Sequence, residues 1–355
     1  MKRKTIVMFH PYINDYMRKE VQDTLNSRWI GQGPKVDLFE EKIKKLFQVK
    51  YPVAVNSGTS ALSLAYHLIG IDKNSEVITS VLNCSADAVA LSHFGPKIVF
   101  ADIRRDTMNI DPEDIKKKIT NKTRAIINVH LSGNPSIIPN FGIPVIGDYA
   151  QMHYSPLSSD DYACYSFQAI KHLTIGDGGM IVVRSEKEYA RAKKLRWFGI
   201  DREKKRWANY QAYLGREMTT DIEEVGFKWQ TTDLAASLGL GALKEYKKIM
   251  DHHERLCILY ENNLSDISGL MVIGGIWSFP VLVERRDDFA KKLADNGIET
   301  NLVQVRNDIL TVFGGKRRNL PNMNWIEDKY IHLPLHMYVT GKDVERICGI
   351  IRGGW

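Results

Sequence analysis

Cysteine is scarce in this chain: Cys84, Cys164, Cys257 and Cys348 are scattered over 355 positions. They form no CxxC pair and no metal-ligand spacing, which excludes a disulfide scaffold and a cysteine-based metal site and leaves reduced thiols as the expectation. Long apolar runs are missing as well, and no stretch approaches the ~18 residues of a membrane helix. After the basic start Met1-Lys2-Arg3-Lys4, the run Thr5-Ile6-Val7-Met8-Phe9 stops at His10-Pro11, too short for the core of a secretory leader. A cytoplasmic location with no membrane partner is therefore expected. There is no internal repeat and no dense block of one charge. Lysine and arginine number 49 against 42 acidic residues, a formal +7. The denser basic runs (Lys116-Lys117-Lys118 and Arg202 to Arg206) sit among acidic residues, which reads as a solvated surface rather than a nucleic-acid footprint.

The chain does contain enough apolar sequence for a sizeable core, and its length suggests about two domains. Short β-branched runs read as buried strands: Tyr51 to Val55, Glu76 to Thr79, Lys97 to Ala101, Arg124 to His130, Pro144 to Ile146, Ala163 to Phe167 and Met180 to Val183. Helical patterns lie between several of them, including Thr59 to Leu68, Pro112 to Ile119 and Lys187 to Trp197. This alternation predicts an α/β fold with a mostly parallel sheet covered by helices on both faces. Apolar periodicity from Thr231 to about Asn262 predicts one or two helices leaving it. The remainder, with a strand near Trp277 to Val283 and a helix near Arg286 to Asn296, predicts a smaller C-terminal α+β domain. Residues 1–245 are assigned to the large domain and 246–355 to the small one.

Ligands in such sheets collect beyond the carboxyl ends of the strands, and three loops stand out there. Val53-Ala54-Val55 runs into Asn56-Ser57-Gly58-Thr59-Ser60, a glycine turn opening a helix whose N–H groups and hydroxyls suit a phosphate, although Ser and Thr are also ordinary caps. Pro144-Val145-Ile146 ends at Gly147-Asp148-Tyr149-Ala150-Gln151, placing a carboxylate at the end of a buried strand, where it needs a cation or donors. Tyr165-Ser166-Phe167-Gln168-Ala169-Ile170 delivers Lys171 into an apolar segment before Gly176-Asp177-Gly178-Gly179. Low dielectric makes such an amine a nucleophile toward carbonyl carbon. A lysine, a carboxylate for a pyridinium nitrogen and a phosphate cradle are the parts that a pyridoxal phosphate site requires.

The ordered motifs NSGTSAL, GDYAQ and SFQAIKHLTIGDGG resemble the DegT/DnrJ/StrS sugar aminotransferases, within the fold-type I pyridoxal phosphate enzymes. Trp29-Ile30-Gly31-Gln32-Gly33-Pro34, the segment Val225 to Ala236 and Leu333-Pro334-Leu335-His336 extend the resemblance over nearly the whole chain. It implies a three-layer α/β/α large domain and pyridoxal 5'-phosphate as cofactor, with no metal. By the same resemblance, Lys171 would hold the cofactor covalently and shuttle the proton once displaced. Asp148 would pair with the pyridine nitrogen, Gln151 would lie near the phenolic oxygen, and Thr59, Ser60 and Ser166 would bind the phosphate. Lys228 stands where an Asn often reaches the neighbouring subunit's phosphate, which implies a homodimer with shared sites. Cys84 stands where relatives commonly stack an aromatic residue on the cofactor ring, core packing being its alternative. Gln168 and Gln230 replace a frequent His and Arg. The implied substrates are L-glutamate and a nucleotide-linked keto-deoxy sugar. The Trp29 segment favours a 4-keto-6-deoxyhexose destined for a surface glycan such as O-antigen. A 3-keto substrate and a dehydratase remain alternatives, although dehydratases of the family carry His at the position of Lys171. A regulatory nucleic-acid-binding protein is the reading from another class, and the dispersed charges oppose it.

Overall fold

The computed structural model describes residues 5–154, 156–157, 159–202 and 221–355. Met1 to Lys4, and the basic run beyond Arg202, lie outside the described residues.

Seven strands form the main sheet: β1 (Pro52–Val55), β2 (Glu76–Ser80), β4 (Lys97–Ala101), β5 (Thr123–Val129), β6 (Val145–Asp148), β7 (Tyr162–Ser166) and β8 (Gly179–Val182), while the two-residue β3 (Leu82–Asn83) lies outside it. The order is β1-β8-β7-β6-β5-β2-β4. From β7 through β4 the pairings are parallel, and β8 runs antiparallel to both β1 and β7. Two reversals leave β1 parallel to β7, so β1, β6 and β7 all finish at one edge.

Alternation along the strands sends side chains into two cores. Val53, Tyr162, Cys164 and Ile181 join one, with the helix Gly58–Ile69. Ala54, Ala163, Tyr165 and Met180 join the other, with helices Pro34–Leu46 and Asp233–Leu243. Both faces are thus covered, and the layering is α/β/α, as expected. The stretch from Thr231 resolves into two helices, Asp233–Leu243 and Tyr246–Leu264.

A third core surrounds the antiparallel sheet β12-β10-β9, formed by β9 (Leu270–Val272), β10 (Phe279–Val283) and β12 (Tyr330–Leu333). Helices Tyr246–Leu264, Arg286–Asp295 and Gly341–Arg352 bring Leu256, Tyr260, Phe289 and Ile347 to it. Ile6 also packs in this core and bridges Ile298, so this N-terminal residue joins the C-terminal core rather than the one that follows it in sequence. β11 (Val305–Arg306) pairs with β3 and ties the C-terminal part back to the first. Among the described residues no helix is long and apolar enough to cross a membrane.

β1 is an edge strand, yet its polar groups are not left open. Glu40 accepts from Ala54 N at 2.9 Å, and Arg196 donates to Ala54 O at 2.8 Å while pairing with Glu40. Both charges are almost fully buried, so neither tolerates loss of the other. Replacing Arg196 by Met is expected to cost about 3–5 kcal/mol, read as a lower urea midpoint.

Candidate active site

Beyond the ends of β1, β6 and β7 lies a cavity of ≈ 490 Å³. Its phosphate-like corner is the start of the helix Gly58–Ile69, where Ser57, Gly58, Thr59 and Ser166 line the wall. A Cβ at position 58 would lie 2.9 Å from the Ser166 Cβ, so only glycine lets the helix start approach β7 this closely. Ser57 caps the helix by accepting from Ser60 N at 3.0 Å, leaving the first N–H groups of the helix without intrahelical partners.

Asp148 closes β6. Its Oδ1 accepts from Ala150 N at 2.9 Å. Burial raises this carboxyl above its ordinary range, against the opposing pull of the Ala150 N–H, Lys171 and His130. Behind it, Ser136 N donates to His130 Nδ1 at 3.0 Å, which leaves Nε2–H to donate to Asp160 at 3.2 Å. Tyr149 donates to the same carboxylate at 2.6 Å, and Asn128 donates at 3.1 Å. The strand end is therefore held by a buried polar network centred on the Asp160 carboxylate.

The Lys171 amine lies 3.9 Å from the centre of the Trp277 ring. Burial lowers its pKa to about 8, against Asp148 and Cys84, which favour the charged form. Trp277 stacks on Phe9 with ring centroids 5.4 Å apart, and its indole N–H donates to Ile170 O at 3.1 Å. The backbone there is pinned as well. His172 Nε2 and His253 Nδ1 both donate to Ile276 O at 2.8 Å, and Trp277 N donates to Ser132 O at 3.0 Å. Ser132 adopts a positive φ of 58°, a strained conformation for a residue with a Cβ. Gly275 (φ 153°) sits against it, where an added Cβ would come within 2.5 Å of Ser132 O. Ser132 N also donates to Gln151 Oε1 at 2.6 Å. That bond fixes the amide orientation and leaves Nε2 as the donor end of a side chain lining the cavity.

Of the residues singled out from sequence, Thr59, Cys84, Asp148, Gln151, Ser166 and Lys171 line this one cavity. Cys84 is exposed to it rather than packed in the core. Ser60 does not line it; the buried Ser60 hydroxyl donates to Asn56 Oδ1 at 2.6 Å, because the helix start uses it within its own cap. Lys228 is outside it too, 4.1 Å from the Trp197 ring, which also carries Arg202 at 4.0 Å. Arg196 and Arg306 are buried in ion pairs with Glu40 and with Asp308 and Glu327, and Lys35 pairs with Glu20. These cations serve the fold. Sequence reading missed Phe9, Trp277, Asn301, Val303 and Gln304 as lining residues. The glycine pair 274–275 before Trp277 was the available signal.

The residues present fit pyridoxal phosphate: a buried amine with depressed pKa, a carboxylate at the strand end, an amide with a free donor end and a cradle that a Cβ at position 58 would crowd. A model of the DegT/DnrJ/EryC1/StrS aminotransferase family matches residues 11–352. The chain is 30% identical to the spore coat polysaccharide biosynthesis protein SpsC of Bacillus subtilis, covering 96% of this chain and 95% of that one. It is 26% identical to the GDP-perosamine synthase of Escherichia coli O157:H7, with 97% of each covered. The crystal structure of AtS13 from Actinomadura melliaura superposes with a TM-score of 0.91 at 30% identity over 100% of both chains. The putative sugar aminotransferase Spr1654 from Streptococcus pneumoniae, solved in its PLP form, gives 0.88 at 24% identity, covering 99% of this chain and 98% of that one.

Only a neutral amine attacks an aldehyde, and the lowered Lys171 pKa moves its deprotonation from the ordinary ~10.4 to about 8. Covalent capture of an aldehyde probe at Lys171, trapped with borohydride and located by mass spectrometry, is expected to accelerate through pH ~8 and then level. A rate still climbing at pH 10 would contradict this.

Proposed function

The chain belongs to the DegT/DnrJ/EryC1/StrS aminotransferase family of pyridoxal-phosphate-dependent transaminases, and from that premise we propose that it moves the amino group of L-glutamate onto a nucleotide-linked keto-deoxy sugar, a 4-keto-6-deoxyhexose. The observation that carries the reading is the Lys171 amine, buried beside Asp148 and next to a helix-start cradle. The names of a GDP-perosamine synthase and of a spore coat polysaccharide protein among the relatives support a nucleotide-linked sugar and a surface glycan as the setting. The segment Trp29 to Gly33 supports the 4-keto position.

When bound, pyridoxal phosphate supplies an aldehyde that exchanges amines and a ring that takes up electron density from the carbon losing its proton. Lys171 would be the attachment point and, once free, would take that proton and deliver it as general acid–base. A pKa near 8 keeps a useful fraction of the amine neutral at neutral pH. Asp148 would pair with the ring nitrogen, Gln151 would offer Nε2 to the phenolic oxygen, and Thr59 and Ser166 with the helix start would hold the phosphate. Trp277, backed by Phe9, covers one side of the amine. Lys228, outside the cavity of its own chain, supports a homodimer in which it serves the partner's site.

With glutamate labelled at nitrogen and a panel of keto-sugar nucleotides, the label is expected on C4 of the sugar by NMR. Label at C3 would move the reading to a 3-keto substrate, and sugar turnover without label would make the protein a dehydratase. The shared site has its own test. K171A and K228A are each expected to lose at least ~10²-fold in rate, and mixing the two subunits should restore activity by forming one intact site.

A further inference from the structure

Asp87 is the second residue of the helix Ala86–Ser92, is 1% exposed, and lines the same cavity as Asp148. The two carboxyl groups are in hydrogen-bonding contact. Asn83 donates its side-chain N–H to Asp87 Oδ2. Among the described residues, no N–H or hydroxyl donates to Asp87 Oδ1. Two buried carboxylates in contact cannot both be ionised, so the pair holds a proton.

The surroundings decide which oxygen carries it. Asp148 receives the Ala150 N–H and feels the Lys171 ammonium. The titratable groups facing Asp87 are Asp148 from β6, Tyr66 from the helix Gly58–Ile69, Cys164 from β7 and Cys84 beside its own helix. Burial holds the Tyr66 hydroxyl and both thiols neutral, so none of these brings Asp87 a cation. The charge therefore belongs on Asp148 and the proton on Asp87.

We propose that Asp87 is a positioning residue that works as a neutral acid, donating its O–H to Asp148 so that Asp148 stays ionised and the pyridine nitrogen of the bound cofactor keeps its proton. No proton changes hands in this role; the O–H stays on Asp87. A donor to a carboxylate stabilises its charged form, and a more stable carboxylate competes less for the proton on the ring nitrogen. The proposal rests on the reading of Asp148 as the partner of that nitrogen.

The test loads the apo-protein with pyridoxal phosphate carrying ¹⁵N in the ring and reads the nitrogen chemical shift between pH 6 and 9. Wild type and D87N, whose amide still donates to Asp148, are expected to show a protonated ring nitrogen. D87A and D87L, which donate nothing, are expected to shift toward the unprotonated nitrogen and to bind the cofactor roughly 10-fold more weakly, as loss of an outer-sphere partner does at other sites. Circular dichroism establishes which variants are folded, and either of the last two suffices. A protonated nitrogen in D148N would remove the premise about Asp148. Loss in D148N with retention in D87A or D87L would overturn the role of Asp87 alone. Loss in D87N would also overturn it, because Asp87 would then be acting as an anion.

Discussion

A primary amine held under an indole ring and beside a buried carboxylate is an expensive arrangement, and much of this molecule exists to maintain it. Removing the Lys171 ammonium from water disfavours its charged form, and Asp148 alone does not restore the loss. The outcome is an amine that is reactive without being free. It can persist because the groups around it have fixed positions: Trp277 through Ile170, Ile276 and Ser132, and Asp148 through the strand it terminates.

The same economy governs the cations elsewhere. A basic chain with an anionic cofactor invites the idea that its arginines gather around the ligand. Instead Arg196 and Arg306, the most deeply buried of them, are committed to carboxylates and backbone carbonyls within the fold. The cavity corner at Gly58 offers a helix start, hydroxyl groups and close backbone approach, features that suit an anion through geometry more than through net charge.

The sheet was legible in the sequence because its strands are buried on both faces and read as short β-branched runs between helices. Lys171, Asp148 and Thr59 stood out in the sequence because each lies at or just past the end of such a strand, at the edge where ligands collect, whereas Ser166 came from the family resemblance; the structure brings all four to one cavity. Ser60 stands off the cavity lining, its hydroxyl bonded to Asn56, because a cap and a phosphate ligand use the same residue types and sequence does not show which partner the hydroxyl takes. Phe9 and Trp277 were hidden for another reason: they are distant in sequence from every strand end that the motifs mark. Their place in the site, Trp277 against the Lys171 amine and Phe9 stacked on Trp277, comes from how the C-terminal sheet and the N-terminal segment fold back, which periodicity does not encode. The first residues joined the C-terminal core for the same reason.

That fold-back bears on biosynthesis. Ile6 bridges Ile298, and Phe9 stacks on Trp277, so segments made first must wait until most of the chain has left the ribosome. Contacts of such high sequence separation form late. Until residue 277 has emerged, Lys171 lacks the indole that lies against its amine. Completion of the pocket around the amine is consequently later than synthesis of Lys171 itself, and a truncated product that ends before residue 277 carries the lysine without its aromatic neighbour.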